Sequence, residues 1–120
     1  MYSEGARQRI RDMLEAIGRI RQYVTRMNFE GFIRDPKTVD AVVRNLEIIG
    51  EASRHVPPDL AEVYTDAEWT RISDIRNKLI HDYARTNERL VWETIEVRLG
   101  PLATALEAMA AKIESAQSGK

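Results

Sequence analysis

The sequence predicts an all-α protein, an antiparallel up-and-down bundle of four main helices. Apolar residues recur at three- and four-residue steps in four long stretches, which is the period of a helix that buries one face. Runs that alternate apolar and polar residues between turn dipeptides, the signature of strands, are nearly absent. Short polar or proline-containing segments separate the stretches, so successive helices must fold back on one another.

The first helix is expected from about Glu4 to Met27, with Ile10, Met13, Leu14, Ile17, Ile20, Val24 and Met27 as its apolar stripe. Its other faces carry Arg7, Arg9, Arg11, Arg19, Arg21 and Arg26 against Glu4, Asp12 and Glu15. That leaves the helix locally basic: an ordinary solvated face, or alternatively a track for a phosphate backbone. Asn28 is the expected stop, and Phe29 to Arg34 reads as a turn or a helical fragment. Asp35-Pro36 starts the second helix, because the Asp side chain caps free amides and a proline at the first helical position gives up nothing.

This second helix runs to about His55 and buries Val39, Val42, Val43, Leu46 and Ile49. Gly50 within it costs stability relative to alanine and suggests close approach of another backbone. Glu51 lies near the stripe's edge, either orienting an arginine from another helix or exposed. Pro57-Pro58 ends the pattern.

Thr65-Asp66-Ala67-Glu68 has the form of a capping box. It opens the third helix, which carries Trp69, Ile72, Ile75 and Leu79 inward, with Asp82 and Tyr83 at its frayed end. Asn87 or Thr86 caps the last helix, which runs to about Ala116 on the stripe Trp92, Ile95, Leu99, Leu102, Leu106, Met109 and Ile113. Gly100-Pro101 should kink it or split it in two. The tail Ser115 to Lys120 reads as disordered.

At 120 residues the chain is the size of one domain, and no boundary, repeat or linker divides residues 1–120. A formal net charge of −1 argues against a strongly basic, sequence-independent nucleic-acid binder but allows a local basic groove. The absence of cysteine removes disulfides and thiolate metal sites. Met1 to Gly5 shows no signal peptide, and no apolar run is long enough to span a bilayer, so the cytoplasm is the expected compartment.

The chemistry concentrates in Arg76-Asn77-Lys78-Leu79-Ile80-His81-Asp82-Tyr83. It combines a fixed cation, an amide, an imidazole and a phenol within about two helical turns. The structural alternative is a polar helix end, with Lys78 and His81 favouring the negative pole of the helix dipole.

An unperturbed imidazole exchanges its proton near neutral pH, so His81 can take or give one, and Arg76 can clamp a phosphate through two donors. Asn77 adds a neutral donor. These groups suit RNA cleavage by its own 2′-hydroxyl: a base takes the hydroxyl proton and cations hold the charged phosphorane. No metal or other cofactor is expected, since neither His55 nor His81 has a carboxylate cluster at ligand spacing. No glycine-rich phosphate loop is present, and Ser73 lacks an evident base–acid pair. On one helix Asn77 and His81 share a face, whereas Arg76 and His81 point roughly 140° apart. To act on one phosphate they require a bend after Ile80 or a second copy of the chain.

The spacing Arg76-x-x-x-x-His81-x-Tyr83 resembles the R-x-x-x-x-H-x-Y motif of HepT-like toxins, a branch of the HEPN superfamily. Trp69, the run Arg44-Asn45-Leu46-Glu47-Ile48-Ile49-Gly50-Glu51-Ala52 and Pro101 are similar to that family too, and the likeness extends from about Arg7 to Ile113.

The resemblance implies a homodimeric helical bundle and a metal-independent ribonuclease of type VII toxin–antitoxin systems. Arg76 and His81 of both protomers would be the catalytic pair in one composite cleft, with Asn77 and Glu51 in support. It also implies a minimal nucleotidyltransferase (MNT-type) antitoxin as partner, attaching AMP to Tyr83 and blocking the cleft. Asp74, within Ser73-Asp74-Ile75, departs from the family pattern and adds negative charge near the proposed site. The competing class is a non-catalytic helical subunit that binds a nucleotidyltransferase or a nucleotide; tight partner association without RNA turnover would mark it.

Overall fold

The computed structural model describes residues 4–57 and 87–118. All the regular structure among them is helical, with no strand. Helix α1 spans Glu4–Tyr23, α2 Phe29–Ile33 and α3 Pro36–Ser53. After the undescribed residues 58–86, α4 spans Glu88–Glu93, a π-helical turn spans Thr94–Arg98, and α5 spans Leu99–Ser118. The expected third helix, with its core residues Trp69, Ile72, Ile75 and Leu79, lies outside the described residues.

Helix α1 buries Ala6, Ile10, Met13, Ala16, Ile17 and Ile20, and packs on both α3 and α5. Leu14, Val24 and Met27 from the expected stripe pack against this core while only partly buried. The helix ends at Tyr23, four residues before the expected Met27. The cause is Arg26, whose φ of 65° puts the backbone in the left-handed region and turns the chain out of the helix.

Asn28 is not the stop of α1, which has already ended at Tyr23; it is the N-cap of α2. Its side-chain oxygen accepts from the Gly31 amide at 2.9 Å and so starts α2. A Cβ on Gly31 would stand 3.2 Å from that oxygen, which explains why the smallest residue sits there. Five residues are too few to hold a helix by themselves. Tertiary contact holds α2: Phe32 is fully buried, its ring centroid 5.1 Å from that of Trp92, and Phe29 lies 6.5 Å from the same indole.

The expected start of α3 holds. Asp35 accepts from the Thr38 amide at 3.2 Å and from its hydroxyl at 2.9 Å, and Pro36 occupies the first turn. Val39, Val42, Leu46, Ile49, Gly50 and Ala52 are buried. The α-helix ends at Ser53 and not His55, with Arg54 and His55 continuing as turn.

Asn87 is the cap of the last helical run, accepting from the Leu90 amide at 3.0 Å. Gly100-Pro101 does not split this run. The chain passes from α4 to α5 through Thr94–Arg98, where the Leu99 amide donates to the Thr94 carbonyl five residues back. The π turn lies just before the proline, whose missing N–H and bulky ring disturb the regular ladder. Leu99, Leu102, Leu106, Met109 and Ile113 are buried as expected, joined by Val91, Thr94 and Ala103. Helix α5 continues through Ser118, past Ala116 and into the segment expected to be disordered.

Candidate functional site

Arg76, Asn77, His81 and Tyr83, together with Asp74, lie outside the described residues. The described part of the candidate region is the run Arg44 to Ala52 on α3 and whatever α1 places beside it.

Helix α3 has two faces because its residues step about 100° around the axis. One face is the core. The opposite face carries Arg44, Glu47, Glu51 and His55, at three- and four-residue spacing. Arg44 lies 3.9 Å from Glu47, and His55 Nε2 lies 3.7 Å from Glu51 Oε1, both side chains being about half exposed. Glu51 is thus on the outer side of α3 and not in its buried stripe. No set of three or more His, Asp or Glu side chains that could hold a metal ion occurs among the described residues.

The two faces meet at Asn45, which is only 5% exposed. Its amide nitrogen donates to the Ala41 carbonyl at 2.8 Å, and its side-chain oxygen accepts from Arg19 Nε at 2.8 Å. A buried amide costs stability unless such bonds are made, so Asn45 fixes where Arg19 lies. Sequence reasoning missed this role. The available signal was position: Asn45 follows Val42 by three residues and precedes Ile49 by four, inside the core arc.

The basic surface of α1 divides in the structure. Arg7 pairs with Glu4 and Glu114, and Arg11 pairs with Glu4 and donates to Gln8. These pairs rim a cleft of ≈ 90 Å³ floored by Ile10, Leu14, Ala110 and Ile113, which is well below the roughly 300 Å³ at which small-molecule sites begin. Arg19 is drawn toward α3, whereas Arg21 and Arg26 are exposed. A cation–aromatic contact lies at α4, where the Arg89 guanidinium sits 4.3 Å over the Phe29 ring.

These features define an all-helical domain whose α1–α3 pair carries a buried amide and an outward charged stripe. The Ribonuclease HepT-like family matches residues 13–109, and the chain belongs to that family. The "Probable ribonuclease HepT" of Thermococcus cleftensis is 39% identical over 87 residues, 72% of this chain and 79% of the relative. A Methanocaldococcus jannaschii protein named "Putative RNase MJ0127" is 35% identical over 95 residues, 79% of this chain and 78% of its own. A third relative, from Caldanaerobacter subterraneus subsp. tengcongensis and also named as an RNase, is 45% identical over 69 residues, 58% of this chain and 62% of its own. No solved structure matches the chain significantly.

Proposed function

We propose that the chain is a metal-independent endoribonuclease, the toxin of a type VII toxin–antitoxin pair. The observation that carries this is the family match over residues 13–109, which includes the Arg76-x-x-x-x-His81-x-Tyr83 spacing. His81 would take the 2′-hydroxyl proton of a ribose. The 2′-oxygen then attacks the adjacent phosphorus, Arg76 holds the charged phosphorane, and the P–O5′ bond breaks as the 5′-oxygen takes a proton back from the imidazolium, leaving a 2′,3′-cyclic phosphate. Asn77 adds a donor to the same phosphate.

Because Arg76 and His81 diverge by roughly 140° on a single helix, a two-fold homodimer would complete the site with groups from both copies. The four-helix up-and-down bundle would be closed by the helix expected at residues 65–83. AMP attached to Tyr83 by an MNT-type nucleotidyltransferase partner would put a bulky anion in the cleft and repel RNA phosphates. No helix among the described residues is long and apolar enough to cross a membrane, and the site of action would be the cytoplasm.

The test is cleavage of RNA by the purified chain in EDTA. Arg76→Ala and His81→Ala are each expected to lower the rate by at least a hundredfold with the helical circular dichroism unchanged. Undiminished cutting by both variants overturns the assignment. Mass spectrometry of Tyr83 after co-expression with a nucleotidyltransferase tests the control step separately.

A further inference from the structure

We infer that Arg19 is a preset phosphate-binding residue, and that single-stranded RNA crosses the α1–α3 surface there with a backbone phosphate on its guanidinium. The inference rests on the ribonuclease reading and adds a substrate contact outside the Arg76–Tyr83 motif.

A guanidinium has two edges that can each bind an oxyanion, one through Nε and a terminal nitrogen, the other through the two terminal nitrogens. In Arg19 the first edge is committed. Nε donates at 2.8 Å to Asn45, a side chain 95% buried and itself fixed to the Ala41 carbonyl. That leaves the edge formed by the two terminal nitrogens, on a side chain 41% exposed. Among the described residues the acid paired with them is Glu15, 4.0 Å from one of them and 65% exposed, a contact too long for a hydrogen bond.

An arginine held this way loses little rotamer entropy when a phosphate binds, unlike a free surface arginine. Burying an amide only to restrain a surface cation is costly, and the arrangement is explained if the cation has an anion to meet. Tyr23, 37% exposed, follows Arg19 by four residues, and exposed Arg26 follows by seven. This edge of α1 therefore offers a cation followed one turn later by an aromatic ring, and exposed Arg26 lies in the turn just past the helix end. Glu15 and Asp12 stand on this edge as well. Asp12 accepts from Gln8 at 2.8 Å, and Glu15 is the acid a phosphate would displace.

The probe is a fluorescent single-stranded 2′-O-methyl RNA, which cannot be cut by its own 2′-oxygen. Its affinity for the full chain is measured by anisotropy over a series of salt concentrations. Arg19→Ala is expected to weaken binding and to flatten the slope of log K against log salt by about 0.7, the loss of one phosphate contact on a single strand. Arg19→Lys should retain most of that slope. Asn45→Leu frees the guanidinium without removing its charge; it should weaken binding about threefold or more and leave the slope nearly intact.

An unchanged slope in Arg19→Ala overturns the inference, as does a wild-type chain that fails to bind the oligonucleotide. Thermal melting of each variant separates a folding defect from a lost contact, since a purely structural role would move the melting temperature and not the slope. Wild-type binding with the expected slopes but no RNA cutting would sink the nuclease assignment and leave this contact standing. Normal cutting with an unmoved slope would do the reverse.

Discussion

Phe32 holds α2 in place, and truncating it to alanine should be among the most damaging changes available on the described surface of the core. The ring is fully buried and lies 5.1 Å from the Trp92 indole at an interplanar angle of 41°. Taking a phenyl group from core to solvent costs about 2–3 kcal/mol. The aromatic pair adds about 1 kcal/mol, and the cavity left behind brings large-to-small aromatic changes to about 3–5 kcal/mol. A helix of five residues has no independent stability with which to resist, so α2 should loosen as a unit and take Phe29 with it.

In a domain of this size each kcal/mol is about 3–5 °C of melting temperature, so Phe32→Ala should melt roughly 10–20 °C lower. Urea unfolding followed by far-ultraviolet circular dichroism gives the free energy. The near-ultraviolet signal of Trp92 reports whether the pair is lost. Phe32→Leu should fall between wild type and alanine. A loss below about 1.5 kcal/mol for Phe32→Ala, with the near-ultraviolet spectrum intact, would refute the view that α2 is held by this contact.

Three further changes follow from local geometry. Gly18 is exposed inside α1 and a Cβ there meets nothing within 4 Å; Gly18→Ala should raise stability by about 0.5–1 kcal/mol in urea unfolding. Arg26 occupies a left-handed conformation at φ 65°, so Arg26→Gly should add about 0.5–1 kcal/mol, and a loss would contradict that backbone assignment. Asn45 and Arg19 should couple: a double-mutant cycle of Asn45→Ala and Arg19→Ala is expected to give about 1 kcal/mol, since the bond is charge-assisted but its arginine is part-exposed. Strict additivity in the melting or urea data would show the bond to be energetically idle.

What the sequence revealed about the fold followed local chemistry. Asp35 and Asn87 mark helix starts because a short polar side chain binds the amide three residues ahead, an interaction needing no tertiary partner, and Asn28, expected as the stop of α1, makes the same bond as the cap of α2. The core stripe of the last helix was legible because its apolar steps are nearly unbroken. Other features had no local signal. Arginine gives no hint that residue 26 turns left-handed, because glycine or asparagine is the usual residue there. Pro101 announced a disturbance but not its form, since a kink, a split and a π turn all relieve the same missing donor. Of the candidate site residues, Glu51 is placed, on the outward stripe with His55; Arg76, Asn77, His81 and Tyr83 fall in the undescribed stretch 58–86.

Asn45 shows why periodicity alone misreads α3. A polar residue in the core arc looks like a gap in the stripe, yet its bonds to Arg19 and Ala41 make it the one position there that tolerates a single register against α1. Leucine would pack at Asn45 with less desolvation cost, but it would accept small rotations and slides of α3 without penalty. Such slippage matters little for a passive bundle. It would matter for the proposed site, in which Glu51, about one and two-thirds turns farther along the same helix, would meet groups carried on another segment within a fraction of an ångström. If the buried amide serves register, then Asn45→Leu should cost little or no stability yet lower RNA cleavage. A variant that cuts at the wild-type rate would show that packing of the apolar stripe fixes α3 unaided.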